Sequence, residues 1–422
     1  MCVETNSKYL VKGTFIDTIT SDKLRIQKGF ILINNGIIQS FNNENPDPSL
    51  QIYDYSDKLI IPGLIDLHLH ASQYSYIGTG MDLELMEWLN TYTFKEESKF
   101  KDIEYAKKIY ELFVKDLIST GTTRAVIFAT IYVESTLILM DLLEENKICA
   151  YVGKVGMDRN SPDYYIEKDG EEKTKLFIEE CLKRNYKYVK PIITPRFTPS
   201  VSDSYMESLG KLAKEYNLPV QSHLSENHNE INFVKELRPS DSFYAESYGK
   251  YGLFGKDRKT VMAHCVYSSE EENDLIKKNG VYIAHCPTSN TNLYSGISPA
   301  AKYVREGYKI GIGSDIAGGH TLDLFEVMRH TIQMSKIRYR CLDSNVKPVT
   351  VAEILCMATN IGGSFFDKVG IFEKGYEFDA LILNEDFIKN DRNFNECERL
   401  ERFIYNRHAK IEAKFIKGNK II

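Results

Sequence analysis

The sequence has no long uninterrupted hydrophobic run, and this argues against a membrane-spanning segment. The longest apolar stretch, Leu59 to Ile65, is broken by Pro62 and Gly63 and is far shorter than the roughly 20 residues that cross a bilayer. The opening MCVETNSKYLVKGTF lacks the apolar core and cleavage pattern of a secretory signal, and the closing FIKGNKII matches no lipidation or retention signal. We therefore expect a cytoplasmic protein with no membrane partner.

The sequence also lacks paired cysteines and a strong excess of charge. The eight cysteines are scattered with no C-x-x-C pair, which excludes a thiolate zinc site and favours reduced thiols in a cytosol. Lysine and arginine number 53 against 59 acidic residues, a formal net charge of −6. Because proteins that bind nucleic acid are usually basic or carry a basic stripe, we expect no nucleic-acid partner.

The two ends of the chain are rich in short strand-like pieces. Residues 1–62 contain YLVKGTFIDT, GFILINNGIIQSF and LQIYDYS, and Asn35-Gly36 is a strong hairpin signal because both residues tolerate a positive φ. Residues 369–422 return to the same pattern with VGIFEKGYEFDALILN and RFIYNRHAKIEAKFIKG. We predict that both ends, 1–62 and 369–422, pair into one small β-sandwich domain.

Residues 63–368 alternate apolar runs of strand length with longer amphipathic helical stretches. The runs are LIDLHLH, TRAVIFAT, ICAYVGKVGM, VKPIITPRF, LPVQSHL, TVMAHC, GVYIAHC and KIGIGSD. Repeated β-then-α units indicate a parallel sheet, and eight of them indicate a closed barrel. An open doubly wound sheet is the alternative, but G-x-G-x-x-G follows none of these runs. The predicted fold class is α/β, a (β/α)8 TIM-type barrel with the terminal β domain.

Five polar side chains lie at the ends of the predicted barrel strands. His68 and His70, two residues apart, point to the same face of the first strand. His223 ends the fifth strand, His264 the sixth and Asp315 the eighth. One histidine at a strand end is more often structural than a ligand, but five such residues converge on one barrel mouth. Imidazoles and a carboxylate suit Zn²⁺ or Fe²⁺ with one position left open.

Three other residues near these ends bear on the chemistry. Glu226 lies three residues after His223, where a carboxylate can reach the pocket as an acid/base, although a solvated charge is the simpler interpretation of Glu226 alone. His285 ends the seventh strand and stays ambiguous. Lys190 begins the fourth strand, at the wrong end of the barrel to bridge a second metal, so we predict a single metal ion.

At this point the sequence resembles the amidohydrolase superfamily and, within it, the guanine deaminases. The superfamily resemblance rests on PGLIDLHLH with the later His223, His264 and Asp315. The closer resemblance rests on HLHASQY, LMEWLNTYTFKEE, GTTRAVIFATI, GKVGMDRNSP, TPRFTPS, QSHLSEN, AHCPTSN and GSDIAGG. It covers nearly the whole chain, including the terminal β domain.

Carried over residue by residue, the resemblance implies metal ligands, catalytic groups and purine contacts. The implied ligands of one zinc ion are His68, His70, His223 and Asp315. The implied catalytic groups are Glu226 as the acid/base, His264 beside the metal-bound water, and Asp315. The implied substrate contacts are Gln73, Arg196 and Phe197, while Trp88, the only tryptophan, either covers the pocket or packs.

The resemblance implies a zinc-dependent hydrolytic deamination of guanine to xanthine and ammonia, in purine catabolism or salvage, by a homodimer. Two alternatives remain open. The same scaffold and ligands serve deaminases of adenosine, S-adenosylhomocysteine or cytosine and hydrolases of triazines, since specificity lies in the pocket. A non-catalytic interaction protein on this scaffold is the other, although every implied ligand and Glu226 are present.

Overall fold

The computed structural model describes residues 8–385, 393–406 and 410–422. Within these ranges the strands are β1 (Lys8–Asp17), β2 (Arg25–Asn34), β3 (Ile37–Asn42), β4 (Gln51–Pro62), β5 (Leu64–His70), β6 (Thr122–Phe128), β7 (Cys149–Gly153), β8 (Val155–Gly156), β9 (Val189–Pro191), β10 (Thr194–Pro195), β11 (Val220–Leu224), β12 (Thr260–His264), β13 (Tyr282–His285), β14 (Lys309–Ile312), β15 (Ala380–Asn384), β16 (Lys410–Ile416) and β17 (Asn419–Lys420).

The α-helices of the same ranges are α1 (Leu85–Trp88), α2 (Phe94–Ser98), α3 (Ile103–Ser119), α4 (Val133–Glu145), α5 (Gly170–Arg184), α6 (Asp203–Glu215), α7 (His228–Leu237), α8 (Glu246–Gly249), α9 (Glu270–Asn279), α10 (Pro287–Asn292), α11 (Ala300–Arg305), α12 (Leu324–Cys341), α13 (Val351–Cys356), α14 (Gly362–Ser364) and α15 (Glu396–Tyr405). Two π-helical segments are Leu89–Thr93 and Met357–Ile361. Among the described helices, none combines the length and apolar character needed to cross a membrane.

Eight parallel strands form the predicted barrel. Their order is β11-β12-β13-β14-β5-β6-β7-β9. A parallel bridge between Ile193, just after β9, and Val220, the first residue of β11, closes the cylinder. Every residue of β5 and β6 is buried, as expected for strands covered on both faces. The predicted α/β class and barrel are confirmed, and each of the eight predicted apolar runs contributes a barrel strand.

The helices pack on the barrel through apolar stripes that the sequence spacing sets. In α3 the buried positions include Ala106, Ile109, Tyr110 and Phe113, which recur every three or four residues. The helix begins where the side chain of Asp102 accepts hydrogen bonds from the backbone N–H groups of the first turn. The helices thus cover the outer face of the sheet, while the strand ends remain available for a site.

Strands from both ends of the chain pair in a second, seven-stranded sheet, as predicted. Its order is β17-β16-β15-β4-β1-β2-β3, so β4 from the N-terminal region lies between β1 and β15. The β2–β3 hairpin turns at Asn35 and Gly36, whose φ angles are 51° and 76°. The structure records these strands as one connected sheet. The proposed domain limits, 1–62 with 369–422 and 63–368, stay a prediction.

Arg124 of β6 joins the barrel to the terminal sheet. Its Nε and Nη2 atoms donate to Asp379, at 2.8 and 3.0 Å, and Nη2 also donates to Glu377 at 2.7 Å. Arg124 and Asp379 are 4% and 2% exposed, so this forked ion pair lies in a dry environment. Removing either partner would leave the other as an unpaired buried charge, which destabilises the folded state.

We expect Arg124→Met to lower the free energy of unfolding by about 3–5 kcal/mol, because it leaves the Asp379 carboxylate buried without its cation. The measurement is denaturant unfolding followed by circular dichroism. The matched control is Arg399→Met, which breaks a forked pair to Glu385 whose side chains are 25% and 22% exposed. That change should cost about 1 kcal/mol or less. Equal losses in both variants would contradict the role of Arg124.

Candidate active site

The carboxyl ends of the barrel strands bring the five predicted polar side chains together. His68 and His70 lie at the end of β5, His223 in β11 and His264 at the end of β12. Asp315 follows β14 by three residues, and its backbone N–H donates to the carbonyl of His68 at 2.9 Å. The strands of such a barrel all end at the same face, so side chains distant in sequence meet there.

The distances among these groups suit a metal ion of the size of zinc. His70 Nε2 lies 3.1 Å from His223 Nε2 and 3.6 Å from Asp315 Oδ1, and His68 Nε2 lies 3.2 Å from the same Oδ1. Ligands about 2.05 Å from a tetrahedral zinc ion would be about 3.3 Å apart. Within the described residues, His68 Nε2 is also a buried polar atom without a hydrogen-bond partner. The donor set therefore fits a cation.

Neighbouring hydrogen bonds orient the rings. His223 Nδ1 lies 2.6 Å from the carbonyl oxygen of Arg196, which can only accept, so Nδ1 carries the proton and Nε2 presents its lone pair. His264 Nδ1 contacts Asn290 Oδ1 at 2.8 Å in the same way. Asp66 accepts from the backbone N–H groups of His68 and Ser314, at 3.2 and 3.1 Å. Neither Asn290 nor Asp66 could be identified as a supporting residue from the sequence.

The protonation states of these side chains are those that cation binding requires. Burial, with the neighbouring imidazoles, holds the pKa of His70 and of His223 well below the usual range, so both rings are neutral. Burial works against the charged form of Asp315, but His68 and His264 outweigh it and hold its pKa well below the usual value. Neutral imidazoles and an ionised carboxylate are the protonation states in which these groups coordinate a metal.

Glu226 lies at the edge of this group. Its Oε2 is 3.4 Å from His264 Nε2, and its Oε1 accepts a hydrogen bond from Ser295 Oγ at 2.9 Å. Only 2% of Glu226 is exposed, and burial raises the pKa of its carboxyl group above the usual value. A carboxyl group that keeps its proton more readily is suited to donating and accepting one at neutral pH. Ser295 was not apparent from the sequence.

A cavity opens beside these residues, with about 420 Å³ of empty space including its open mouth, and all four predicted substrate contacts line it. Its wall includes Gln73, Trp88, Arg196 and Phe197 with His70, His223, Glu226, His264 and Asp315. Trp88 is 2% exposed, packs against Tyr76 and donates its Nε1–H to the carbonyl of Thr79 at 2.9 Å. Trp88 therefore both packs and lines the cavity.

His285, ambiguous from the sequence, lies close by without joining the metal-type groups found among the described residues. Those groups are His68, His70 and His223, and His68, His264 and Asp315. Neither ring nitrogen of His285 has a hydrogen-bond partner within the described ranges, and burial lowers its pKa to about 3. His285 is therefore not included among the proposed metal ligands.

Similarity to known proteins agrees with this geometry. The amidohydrolase family model matches residues 59–398. A guanine deaminase of Dictyostelium discoideum is 36% identical over 98% of each chain, and one of Mus musculus is 41% identical over 86% of this chain and 83% of its own. A crystal structure of guanine deaminase from C. acetobutylicum with bound guanine superposes with a TM-score of 0.95, at 48% identity over 99% of this chain and 100% of that one.

These relatives confirm the resemblance that the sequence motifs indicated and the enzyme class, a metal-dependent hydrolase. The matches extend over both the barrel and the terminal sheet, because the first relative and the crystal structure cover almost the whole chain. The chain belongs to the amidohydrolase family and, within that family, to the guanine deaminases.

Proposed function

We propose that this protein is a guanine aminohydrolase, which converts guanine and water into xanthine and ammonia. The observation that carries the proposal is that a His/Asp cation site, a buried carboxyl group and an arginine all line one cavity. The carboxyl group is that of Glu226 and the arginine is Arg196. A hydrolytic deaminase of a flat oxopurine needs an activated water, a proton carrier and a donor to the ring carbonyl, and these groups can supply all three.

We propose that His68, His70, His223 and Asp315 hold one zinc ion, with Fe²⁺ as a possible substitute. The spacing of their donor atoms, 3.1 to 3.6 Å, and the unpartnered Nε2 of His68 support this assignment. When bound, such an ion supplies Lewis acidity that lowers the pKa of a coordinated water toward neutrality. His264 is left out of the ligand set because the family resemblance implies a place for it beside the metal-bound water. Its Nδ1 lies 2.8 Å from Asn290 Oδ1 and its Nε2 lies 3.4 Å from Glu226 Oε2.

Glu226 is proposed as the group that moves protons. Its carboxyl donates to N3 of guanine, which draws electron density from C2, where the oxygen of water adds. The proton lost by the water passes to His264, Asp315 or Glu226, and the amino group receives a proton before it leaves as ammonia. Ser295 Oγ, 2.9 Å from Oε1, keeps the Glu226 carboxyl directed toward His264. Over the whole reaction, one water molecule is consumed and one ammonia molecule is released, with no net gain or loss of protons.

Substrate recognition is proposed to lie with Gln73, Arg196, Phe197 and Trp88. Arg196 has N–H groups for the 6-oxo group or a ring nitrogen, and Gln73 has an amide for the same edge. Phe197 and Trp88, 6% and 2% exposed, provide apolar walls for a flat ring. This arrangement favours an oxopurine over a cytosine or a bulky nucleoside, since buried donors discriminate strongly against ligands that leave them unpaired.

The test is ammonia release by the purified, zinc-loaded protein. Guanine is assayed beside adenine, adenosine, cytosine and S-adenosylhomocysteine, and we expect rapid turnover of guanine alone. Turnover of another compound in place of guanine would contradict the substrate assignment. Absence of turnover on all five, with metal measured in the protein, would overturn the proposed activity.

We further propose that the protein is a homodimer that acts in the cytoplasm. The family resemblance supports the dimer, and light scattering of the purified protein tests it by giving the mass of one or two chains. The seven cysteines in the described part of the chain are all free, as expected in a reducing compartment. Fractionation of cells that express the tagged protein tests the location.

A further inference from the structure

A buried carboxylate behind the cavity holds two of the residues that we assign to the substrate. Glu97 lies in α2 and is 0% exposed. Its Oε2 accepts from Arg196 Nη1 at 2.6 Å and from the hydroxyl of Tyr165 at 2.8 Å. Its Oε1 accepts from Gln73 Nε2 at 2.8 Å and from Arg196 Nη2 at 3.2 Å. Four donors therefore occupy the four lone-pair positions of one carboxylate.

These bonds limit what the two side chains can offer to a ligand. Gln73 is held at its other end as well, since its Oε1 accepts from the backbone N–H of Ala317 at 3.2 Å. The guanidinium of Arg196 also lies 5.2 Å over the ring of Phe94, from the same helix as Glu97. One short helix thus fixes both recognition groups, and only the donors that point away from Glu97 remain for a bound molecule.

The same carboxylate compensates the charge of Arg196. Arg196 is 3% exposed. An unpaired guanidinium in such a water-poor environment would attract anions strongly. Burial opposes the charged form, but the attraction and hydrogen bonds of Glu97 outweigh it and raise the pKa of Arg196. The Glu97–Arg196 pair is neutral overall, so the pocket suits a neutral oxopurine.

We propose that Glu97 is a positioning residue that also determines specificity: it orients Arg196 and Gln73 for neutral guanine and prevents the pocket from retaining the product as an anion. Xanthine gives up a proton more readily than guanine, so part of the product is anionic slightly above neutral pH. A pocket with an uncompensated Arg196 would hold that anion and slow release. This inference rests on the proposed function.

The test is Glu97→Gln, assayed with guanine and with two inhibitors slightly above neutral pH. A glutamine offers one oxygen in place of two, so at least one N–H of Arg196 faces an amide N–H. We expect KM for guanine to rise about tenfold or more, with a smaller change in kcat. We also expect inhibition by xanthine to strengthen about tenfold relative to hypoxanthine, which stays neutral in the same buffer.

Two further variants distinguish the effect of the charge of Glu97 from that of the position of its carboxylate. They also control for the general effect of disrupting a buried ion pair. Glu97→Asp keeps the charge but shortens the reach, so KM should rise while the ratio of xanthine to hypoxanthine inhibition stays that of the unmodified protein. Glu167→Gln makes the same change in another buried pair, Lys154–Glu167 at 2.6 Å, and should leave KM and the ratio unchanged.

The outcomes distinguish this inference from the proposed function. An unmodified protein that does not turn over guanine would contradict the proposed function itself. An active unmodified protein, with KM and the inhibition ratio unchanged in Glu97→Gln, would overturn the role of Glu97 alone. If Glu97→Gln does not fold, Glu97→Asp decides the matter: a raised KM supports the positioning role, and an unchanged KM overturns it.

Discussion

Glu226→Gln should lower the turnover of guanine by about 10²- to 10⁴-fold while the protein keeps its metal. Glutamine has nearly the same shape as glutamate. Its side-chain oxygen can still accept the hydrogen bond that Ser295 Oγ donates to Glu226 Oε1 at 2.9 Å. Its amide cannot act as an acid or a base near neutral pH, so the ring nitrogen of the substrate would lose its proton donor. The measurement is kcat from ammonia release, with metal content determined by mass spectrometry on the same sample.

The matched control is Glu272→Gln. Glu272 is as deeply buried as Glu226, and burial raises its pKa too, but its oxygens accept from Ser225 Oγ and the backbone N–H of Ala245. We expect kcat of this variant to stay within about threefold of the unmodified protein, as for a change outside the reacting groups. Full activity in Glu226→Gln, or an equal loss in both variants, would remove Glu226 from its proposed role.

His70→Ala should abolish stoichiometric metal binding and reduce turnover by about 10³-fold or more, because a metal ion contributes several kcal/mol to such reactions. His70 Nε2 is central to the donor set, at 3.1 Å from His223 and 3.6 Å from Asp315. Without it, only three of the four proposed ligands remain to hold the ion. Metal per chain after dialysis, and then kcat, are the two quantities to measure.

His285→Ala provides the comparison for that experiment. His285 is a histidine at the end of another barrel strand, β13, and is 2% exposed. It lies outside the metal-type groups of the described residues. Its loss should lower stability through the cavity that it creates but leave about one metal ion per chain. Metal retained in His70→Ala, or lost equally in His285→Ala, would contradict the proposed ligand set.

The barrel could be predicted from the sequence because buried parallel strands leave an uninterrupted signal. Runs such as TRAVIFAT and KIGIGSD are apolar on both faces, and the helical stretches between them alternate regularly. The hairpin at Asn35-Gly36 was equally clear, since few residues accept the required φ. The π-helical segment Leu89–Thr93 was not predictable, because its hydrogen bonding depends on packing over the cavity.

The site was only partly predictable for a related reason. The rule that strand ends meet at one face brought His68, His264 and Asp315 together without any structure. Glu97 follows no such rule, since it lies on a short helix and is 99 residues before Arg196. A run of charges such as Lys95-Glu96-Glu97 is usually a solvated surface. Only the folded chain distinguishes the one carboxylate that turns inward.

The pairing of β4 with β15 has a consequence for synthesis on the ribosome. Leu59 of β4 lies opposite Leu383 of β15. The edge of β4 that pairs with β15 therefore has no hydrogen-bonding partner until nearly the whole chain has been synthesised. During that interval the nascent protein has an open strand edge beside a barrel that is still assembling, which is the kind of edge that recruits other chains. We therefore expect cotranslational folding to stall in the terminal sheet, and ribosome-bound chains ending before Ala380 to depend on chaperones.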